Sequence, residues 1–239
     1  MGEAADAVRR ALDDLDDWGL AGTRPGQYRS DLVADAAARA VLEDAGLGVV
    51  SEESGVHHAG RAVTVVLDPV DGSTNASRPL PWFSTSLCAM DAGGLRAALV
   101  ANQVTGERFE AVHGGGARRD GRPVTPSGCG VMGSALVGLS GWPRAHLGWR
   151  QVRILGASSL DLCAVAAGQL DAFIDCSVDA HHPWDYLGAL LVCREAGALV
   201  VDAHGRDLVT DAADARRTPV AAATPSLLDE AVAARARIS

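Results

Sequence analysis

The sequence has no apolar run that approaches the length of about 20 residues needed to cross a bilayer. Residues 1–17 are acidic and amphipathic, and they lack the apolar core of a signal peptide. The cysteines form no Cys-x-x-Cys pair and no regular framework: Cys88, Cys129, Cys163, Cys176 and Cys193. An odd, scattered set of this kind is typical of reduced thiols, so we expect a cytoplasmic protein without a membrane partner.

Positive charge is also scarce. The 239 residues carry a formal net charge of −9, and the isoelectric point is about 5.2. This balance argues against a general binder of nucleic acids or of membrane surfaces. An acidic protein that handles an anionic substrate needs bound cations to reverse the local field.

The sequence does contain enough apolar material, 48% of residues, for a packed globular protein. Helical spacing of apolar residues predicts helices over 3–18, 32–45, 158–168, 183–196 and 225–236. Apolar and β-branched runs predict strands over 48–51, 63–67, 83–101 (with a turn at 91–94), 104–113, 135–139, 152–155, 172–175, 199–202 and 220–223.

This order of elements predicts an α/β protein, with an α+β first half and an α/β second half. The segment 114–130 is rich in glycine, proline and charge, which is typical of a junction between subdomains. We therefore predict an N-terminal subdomain over residues 1–125 and a C-terminal subdomain over residues 126–239.

The most informative segment is Asp68-Pro-Val-Asp-Gly-Ser-Thr-Asn75, which follows the apolar run 63–67. Asp68 and Asp71 lie three residues apart on one tight turn, and like charges held that close repel unless a cation lies between them. Oxygen ligands suit a hard cation such as Mg²⁺. The next residues, Gly72-Ser73-Thr74, offer N–H groups and hydroxyls that suit a phosphate oxygen. One segment thus predicts both a metal site and an anion site.

Two further acids are candidates to close the metal site. Glu52 ends a short strand, and Glu53 beside it points the other way if the strand geometry continues. Asp185 lies in the first turn of the helix predicted over 183–196. Each acid also has an ordinary structural explanation. Asp71 fits an Asp-Gly turn, the two glutamates fit a solvated pair, and Asp185 complements the helix dipole.

Three motifs together resemble those of the inositol monophosphatase family of metal-dependent, lithium-sensitive sugar and polyol phosphatases: Glu52-Glu-Ser54, the segment 68–75, and Trp184-Asp185 with Glu195-Ala-Gly197. The segment 156–168 is similar to that family as well, and the resemblance covers about residues 30–225. It implies a layered αβαβα sandwich of the inositol monophosphatase and fructose-1,6-bisphosphatase type. The site would lie between the two halves, with most metal ligands in the first.

The resemblance also implies the roles of individual residues. Two Mg²⁺ ions, with a weaker third beside Glu52, would be held by Glu52, Asp68, the carbonyl of Val70, Asp71 and Asp185. The attacking water would be oriented by Glu52 and by a pair formed by Ser73 and Asp35. Asp68 would join them in catalysis as the ligand shared by two ions. The phosphate and the alcohol part of the substrate would contact Gly72, Ser73, Thr74, Ala157, Ser158, Asp175 and Asp185.

The implied activity is hydrolysis of a small polyol or inositol-like phosphate by a metal-activated water, in a homodimer. Histidinol phosphate, fructose bisphosphate and nucleotide 3′-phosphates remain alternative substrates, and an inactive phosphate-binding protein is the alternative of another class. Two segments depart from the family pattern. Residues 31–35 keep the spacing of its Val-Thr-x-x-Asp motif without the valine and threonine. The loop 175–185 is longer and contains His181 and His182. We expect both at the substrate edge or in solvent, because the oxygen site is complete without them; soft metal ligands are the alternative.

Overall fold

The computed structural model describes residues 1–238. The α-helices in this range are α1 (Gly2–Asp13), α2 (Arg29–Asp44), α3 (Ser73–Ala76), α4 (Ser158–Ala166), α5 (Pro183–Ala196) and α6 (Pro225–Ala236). The strands are β1 (Gly48–Ser51), β2 (Gly55–His57), β3 (Thr64–Asp71), β4 (Ser84–Asp91), β5 (Gly94–Asn102), β6 (Arg108–Val112), β7 (Ala117–Arg119), β8 (Arg122–Pro123), β9 (Leu136–Ser140), β10 (Gln151–Arg153), β11 (Ala172–Asp175), β12 (Leu199–Asp202) and β13 (Pro219–Ala222).

The first sheet has eight strands in the order β2-β1-β3-β4-β5-β6-β7-β8. Strand β3 runs parallel to β1 and antiparallel to β4, and an antiparallel meander follows. Residues 65–71 of β3 are all buried, because helices cover both faces of the sheet. Val65 and Leu67 pack in a core with α1 and α2, whereas Val66 belongs to the core that contains α4 and α5.

The second sheet has five strands in the order β10-β9-β11-β13-β12. Strands β10, β9 and β11 are parallel, and β13 is antiparallel to both of its neighbours. Phe173 faces the core of α4 and α5, and Ile174 faces α6. The molecule therefore has five layers. Helices α1 and α2 form the first, followed by the first sheet, by helices α4 and α5, by the second sheet and by helix α6. This order confirms the predicted αβαβα sandwich.

Two helices begin or end three or more residues away from the predicted bounds. Helix α1 stops at Asp13 rather than at residue 18, because the acids that follow oppose the negative end of the helix dipole. Helix α2 begins at Arg29 rather than at residue 32, because the N–H of Tyr28 donates to Asp31 Oδ2 at 2.8 Å and caps the first turn. In the described residues, no helix is both long and apolar enough to cross a membrane.

The short strands β2, β7 and β8 and the single-turn helix α3 lie in segments predicted as loops or turns. Two to four residues are too few to show a period in the sequence. Strands β7 and β8 extend the first sheet into the segment 114–130, and the second sheet starts with β9. The division into subdomains at residue 125 stays a prediction.

Candidate metal and phosphate site

Two parallel strands bring the first two acids together. Beyond the end of β1, the N–H of Glu52 donates to the carbonyl of Leu67 in β3 at 3.1 Å. Asp68 follows Leu67, so the two acids lie at the same end of adjacent strands. The pairing of β3 with β4 is interrupted between Asp68 and Asp71, and Asp68 Oδ1 accepts a hydrogen bond from the N–H of Val70 at 3.0 Å. This interruption forms the predicted turn.

Helix α5 supplies the third acid. Asp185 lies in its first turn, where Oδ2 accepts a hydrogen bond from the N–H of His182 at 2.6 Å. One carboxylate oxygen from each of Glu52, Asp68 and Asp185 lies within 4.8 Å of the other two. We call these residues the acid trio. Asp185 therefore caps its helix and also belongs to the acid cluster, so the two explanations considered for it are compatible.

Asp71 lies beside the acid trio, at the N-terminus of α4. Its Oδ1 accepts from the N–H of Ser158 at 3.3 Å, and its Oδ2 accepts from the N–H of Ser159 at 2.7 Å and from the Ser159 hydroxyl. Its charge contributes to raising the pKa of Asp68 and of Asp185. Asp71 is therefore held by contacts between β3 and α4 rather than by a local turn alone.

The acid trio is electrostatically strained. Burial, and then the charge of Asp185, raise the pKa of Glu52 to about 8. Burial also raises the pKa of Asp185 to about 7, although His181 acts in the opposite direction. The pKa of the buried Asp68 lies well above its ordinary value because of burial and the charges of Glu52 and Asp71. A bound cation would remove this repulsion, and a donor set of carboxylate oxygens fits Mg²⁺.

Gly72 allows the chain to turn from β3 into α3. Its φ is +90°, and a Cβ there would lie 3.1 Å from the Ala157 Cβ and 3.2 Å from the Trp82 carbonyl oxygen. Only glycine fits this conformation and this space. Ser73 then occupies the first position of α3 and lines a cavity, and the hydroxyl of Thr74 lies 3.4 Å from that of Tyr28.

Glu52 is the member of the acid trio that lines a cavity of about 390 Å³, which we call the candidate cavity. Its walls are formed by Arg24, Pro25, Gly26, Gln27, Asp31, Glu52, Glu53, Ser73, His182 and Trp184. The rings of His182 and Trp184 stack with their centroids 4.3 Å apart. Trp184 Nε1 is the one buried side-chain polar atom in the described residues without a hydrogen-bond partner, which is uncommon in a folded protein. A larger cavity of about 510 Å³ beside α1 is mainly apolar and contains none of the acid trio.

The predicted pair of Ser73 and Asp35 does not form. The Asp35 carboxylate accepts from the Ser51 hydroxyl at 2.5 Å and forms an ion pair with Arg39 at 3.0 Å. Asp31 lines the candidate cavity together with Ser73, and burial raises its pKa to about 6. The physical reason is the early start of α2. It places Asp31 in the first helical turn, beside the cavity, and Asp35 one turn further along the helix.

The alcohol side of the predicted site also differs. Asp175 is completely buried, and its carboxylate accepts from the N–H of Ser177 at 2.9 Å and contacts His181 Nδ1 at 2.9 Å. His181 thus occupies one side of the Asp175 carboxylate, and the contact of Asp175 with a substrate stays a prediction. The solvent alternative is wrong for His181, because its exposed fraction is 5%. Its place at the substrate edge stays a prediction. His182 does line the candidate cavity, and Ser158 is half-buried beside His181.

Sequence reasoning missed three polar residues of the cavity wall. Glu53 faces the candidate cavity, because β1 ends at Ser51 and strand alternation does not continue. Arg24 and Gln27 both donate to Glu53 Oε2. The position of Glu53 next to Glu52 in the sequence was the one indication that Glu53 could belong to the site. The segment that carries Arg24 and Gln27 contains no motif that indicates a binding site.

Comparisons with known proteins agree with this geometry. The sequence model described as the inositol monophosphatase family matches residues 30–239. Inositol-1-monophosphatase ImpA of Mycolicibacterium smegmatis is 30% identical over 190 residues, which are 72% of this chain and 68% of that protein. The fructose-1,6-bisphosphatase/inositol-1-monophosphatase of Archaeoglobus fulgidus is 30% identical over 216 residues, 86% and 84% of the two chains.

A solved structure from Pyrococcus horikoshii, described as having similarities to inositol-1 monophosphatase, superposes with a TM-score of 0.86 at 25% identity. The superposition covers 96% of each chain, so both sheets and all layers are shared. Together with the family match, this establishes that the chain belongs to the inositol monophosphatase family, whose members are metal-dependent phosphatases.

Proposed function

We propose that the protein is a Mg²⁺-dependent phosphate monoester hydrolase that acts on a small polyol or inositol-like phosphate. The observation that carries this proposal is the acid trio. Its three carboxylates come from the residue after β1, from β3 and from α5, and they meet within 4.8 Å beside the candidate cavity. Such a cluster is costly to maintain without cations, and a phosphate ester is the substrate that bound cations would attract.

In this proposal the metal ligands are Glu52, Asp68, the Val70 carbonyl, Asp71 and Asp185. When bound, Mg²⁺ supplies the positive charge that draws an anionic ester to this acidic surface and offsets the charge of the transition state. The orphaned N–H of Trp184 supports ligand binding here, because a phosphate oxygen would satisfy it.

The residues of the chain then orient the reactants. Glu52 and the Ser73 hydroxyl, both in the cavity wall, hold the attacking water in line with the ester bond. Gly72, Ser73 and Thr74 hold the phosphate through their backbone N–H groups. Water forms the new P–O bond, the ester P–O bond breaks, and the alcohol leaves with a proton. Most of the rate comes from positioning and from electrostatic stabilisation.

The proposal extends to properties that the family resemblance implies. These are two Mg²⁺ ions with a weaker third beside Glu52, inhibition by lithium, a homodimer and a cytoplasmic location. Fructose bisphosphate is a second candidate substrate, since the relative from Archaeoglobus fulgidus carries that activity in its name. Histidinol phosphate and nucleotide 3′-phosphates complete the panel.

A phosphate-release assay over this panel tests the proposal. Hydrolysis should need Mg²⁺ and should stop in excess chelator. Glu52→Gln should abolish most turnover, and Glu110→Gln is the matched control, because Glu110 lies exposed on β6. Substantial turnover in excess chelator would overturn the metal mechanism. Phosphate binding without hydrolysis of any ester would instead identify a binding protein.

A further inference from the structure

The loop between β11 and α5 is anchored so that it delivers one histidine to the interior. His181 pairs with Arg217 as an isolated β-bridge, with N–H to carbonyl distances of 3.2 and 2.8 Å in the two directions. The N–H of Asp179 donates to the Thr218 hydroxyl at 3.1 Å, and the Asp179 carboxylate forms an ion pair with Arg206 at 2.6 Å. Four contacts on one short loop fix the backbone at His181.

The His181 side chain links two residues on different elements. Its Nδ1 lies 2.9 Å from Asp175 Oδ2, and its Nε2 lies 2.7 Å from the Ser158 hydroxyl oxygen. The ring of Phe173 packs edge-on against the imidazole, with the centroids 6.4 Å apart. Asp175 and His181 are buried, whereas Ser158 is half-buried. The hydrogen-bonded chain therefore runs outward from the core and ends at Ser158.

Ser158 is held on both sides. Its N–H donates to Asp71 Oδ1 at 3.3 Å, next to the acid trio, while its hydroxyl is fixed by His181. Because the Asp175 carboxylate accepts from Nδ1, the imidazole keeps one ring orientation and presents Nε2 to the serine. With Nδ1 donating to Asp175, Nε2 accepts the Ser158 proton, so the Ser158 oxygen is left with acceptor sites. A hydroxyl group of a ligand suits these sites because it can donate.

We infer that His181 is a specificity-determining positioning residue, which holds the Ser158 hydroxyl so that it binds a hydroxyl group of the substrate alcohol next to the ester. This inference rests on the proposed function. Asp175 takes part through His181 and does not touch the substrate. The enzyme should therefore prefer esters of polyols to esters of alcohols without further hydroxyls, and that preference should depend on His181.

Two esters of the same shape test the inference: glycerol 2-phosphate and isopropyl phosphate, which differ only in two hydroxyls. The readout is the ratio of their kcat/KM values, with thermal unfolding and the Mg²⁺ requirement measured on the same preparations. His181→Asn keeps an amide donor for Asp175 but has no atom at the position of Nε2. It should lower the ratio roughly three- to tenfold, as expected for one lost hydrogen bond. His181→Gln places its amide near that position and should retain more of the preference.

A double-mutant cycle separates the inference from a purely structural role. Ser158→Ala should lower the ratio like His181→Asn, and the double variant should lower it no further. His113→Asn is the control, since His113 lies exposed on the surface. Equal losses on both esters, or additive effects in the cycle, would overturn the inference. If no ester of the panel is hydrolysed, these two included, the proposed function is overturned and this inference with it. If other esters of the panel are hydrolysed but glycerol 2-phosphate is not, or if the ratio is unchanged in His181→Asn, the inference alone is overturned.

Discussion

Replacing Glu52 by glutamine should stabilise the metal-free protein while it removes activity. The pKa of Glu52 in the folded chain is about 8, against 4.5 for an ordinary glutamate. A group whose pKa is raised on folding favours the folded state at low pH. This contribution is lost as the pH rises from the pKa of the group in the unfolded chain to its pKa in the folded chain. The folded metal-free protein therefore loses stability between about pH 4.5 and about pH 8.

The size of the effect follows from the shift. At about 1.4 kcal/mol per pKa unit, ionising Glu52 near pH 8 costs up to about 4 kcal/mol. Neighbouring acids share that cost and Glu52 is partly exposed. We therefore expect that Glu52→Gln raises the free energy of unfolding by roughly 2 kcal/mol, which is half of that cost. For a chain of this length this corresponds to a rise of roughly 4–8 °C in the unfolding temperature of Glu52→Gln. Near pH 5 the difference should disappear, because protonated glutamate and glutamine are nearly isosteric.

Thermal unfolding in chelator at about pH 5 and about pH 8 measures this difference. Glu110→Gln provides the control for a glutamate on an exposed strand face. Saturating Mg²⁺ should reverse the order at the higher pH, because the wild-type site gains more from the cation. A Glu52→Gln protein that is less stable than wild type in chelator at the higher pH would refute the reasoning. The same difference at both pH values would also refute it.

Substitutions at three further residues probe the site. Asp68→Asn removes the most buried member of the acid trio and should raise the Mg²⁺ concentration needed for half-maximal activity by roughly 100-fold or more; near wild-type activity at ordinary Mg²⁺ would show that the centre of the site lies elsewhere. Ser73→Ala should lower kcat about 100-fold with little change in KM, and Ser73→Thr should keep most activity. If Ser73 only stabilises α3, the alanine variant will instead lose about 1 kcal/mol of stability with kcat unchanged. Trp184→Phe removes the orphaned N–H and should weaken inhibition by inorganic phosphate, measured as a higher inhibition constant, without lowering the unfolding temperature in chelator; unchanged inhibition would exclude Trp184 as a donor to phosphate.

The main helices and strands were predictable, because long periodic runs set them, and the layered arrangement followed from the family resemblance. The meeting of the acid trio was predictable because its motif residues lie at the ends of strands and at the start of a helix. Which of Asp31 and Asp35 lies beside the candidate cavity was not predictable from the sequence. Two acids four residues apart lie on one face of a helix, and only the first residue of α2 decides which of them reaches the cavity. The capping contact of Tyr28 with Asp31 sets that start, and a tyrosine is an unusual signal for it.

The position of His181 was also beyond sequence reasoning. The length of the loop showed that something differed from the family pattern, but its anchors lie on a segment about 35 residues later in the chain. Such a bridge leaves no period in the sequence. The burial of Asp175 could not be predicted either. An aspartate at the end of a predicted strand has the same sequence pattern whether it is buried or exposed.

The distribution of the acid trio has a consequence for biosynthesis. Glu52 and Asp68 belong to the first sheet, but Asp185 arrives with α5, after about three quarters of the chain has been made. Helix α5 also packs between the two sheets, so its docking and the completion of the acid trio are one event. A nascent chain that stops before α5 carries two carboxylates without the third. Tight binding of a divalent cation should therefore begin only when translation has passed this helix. Cation binding by nascent chains of increasing length would then report when α5 docks between the two sheets.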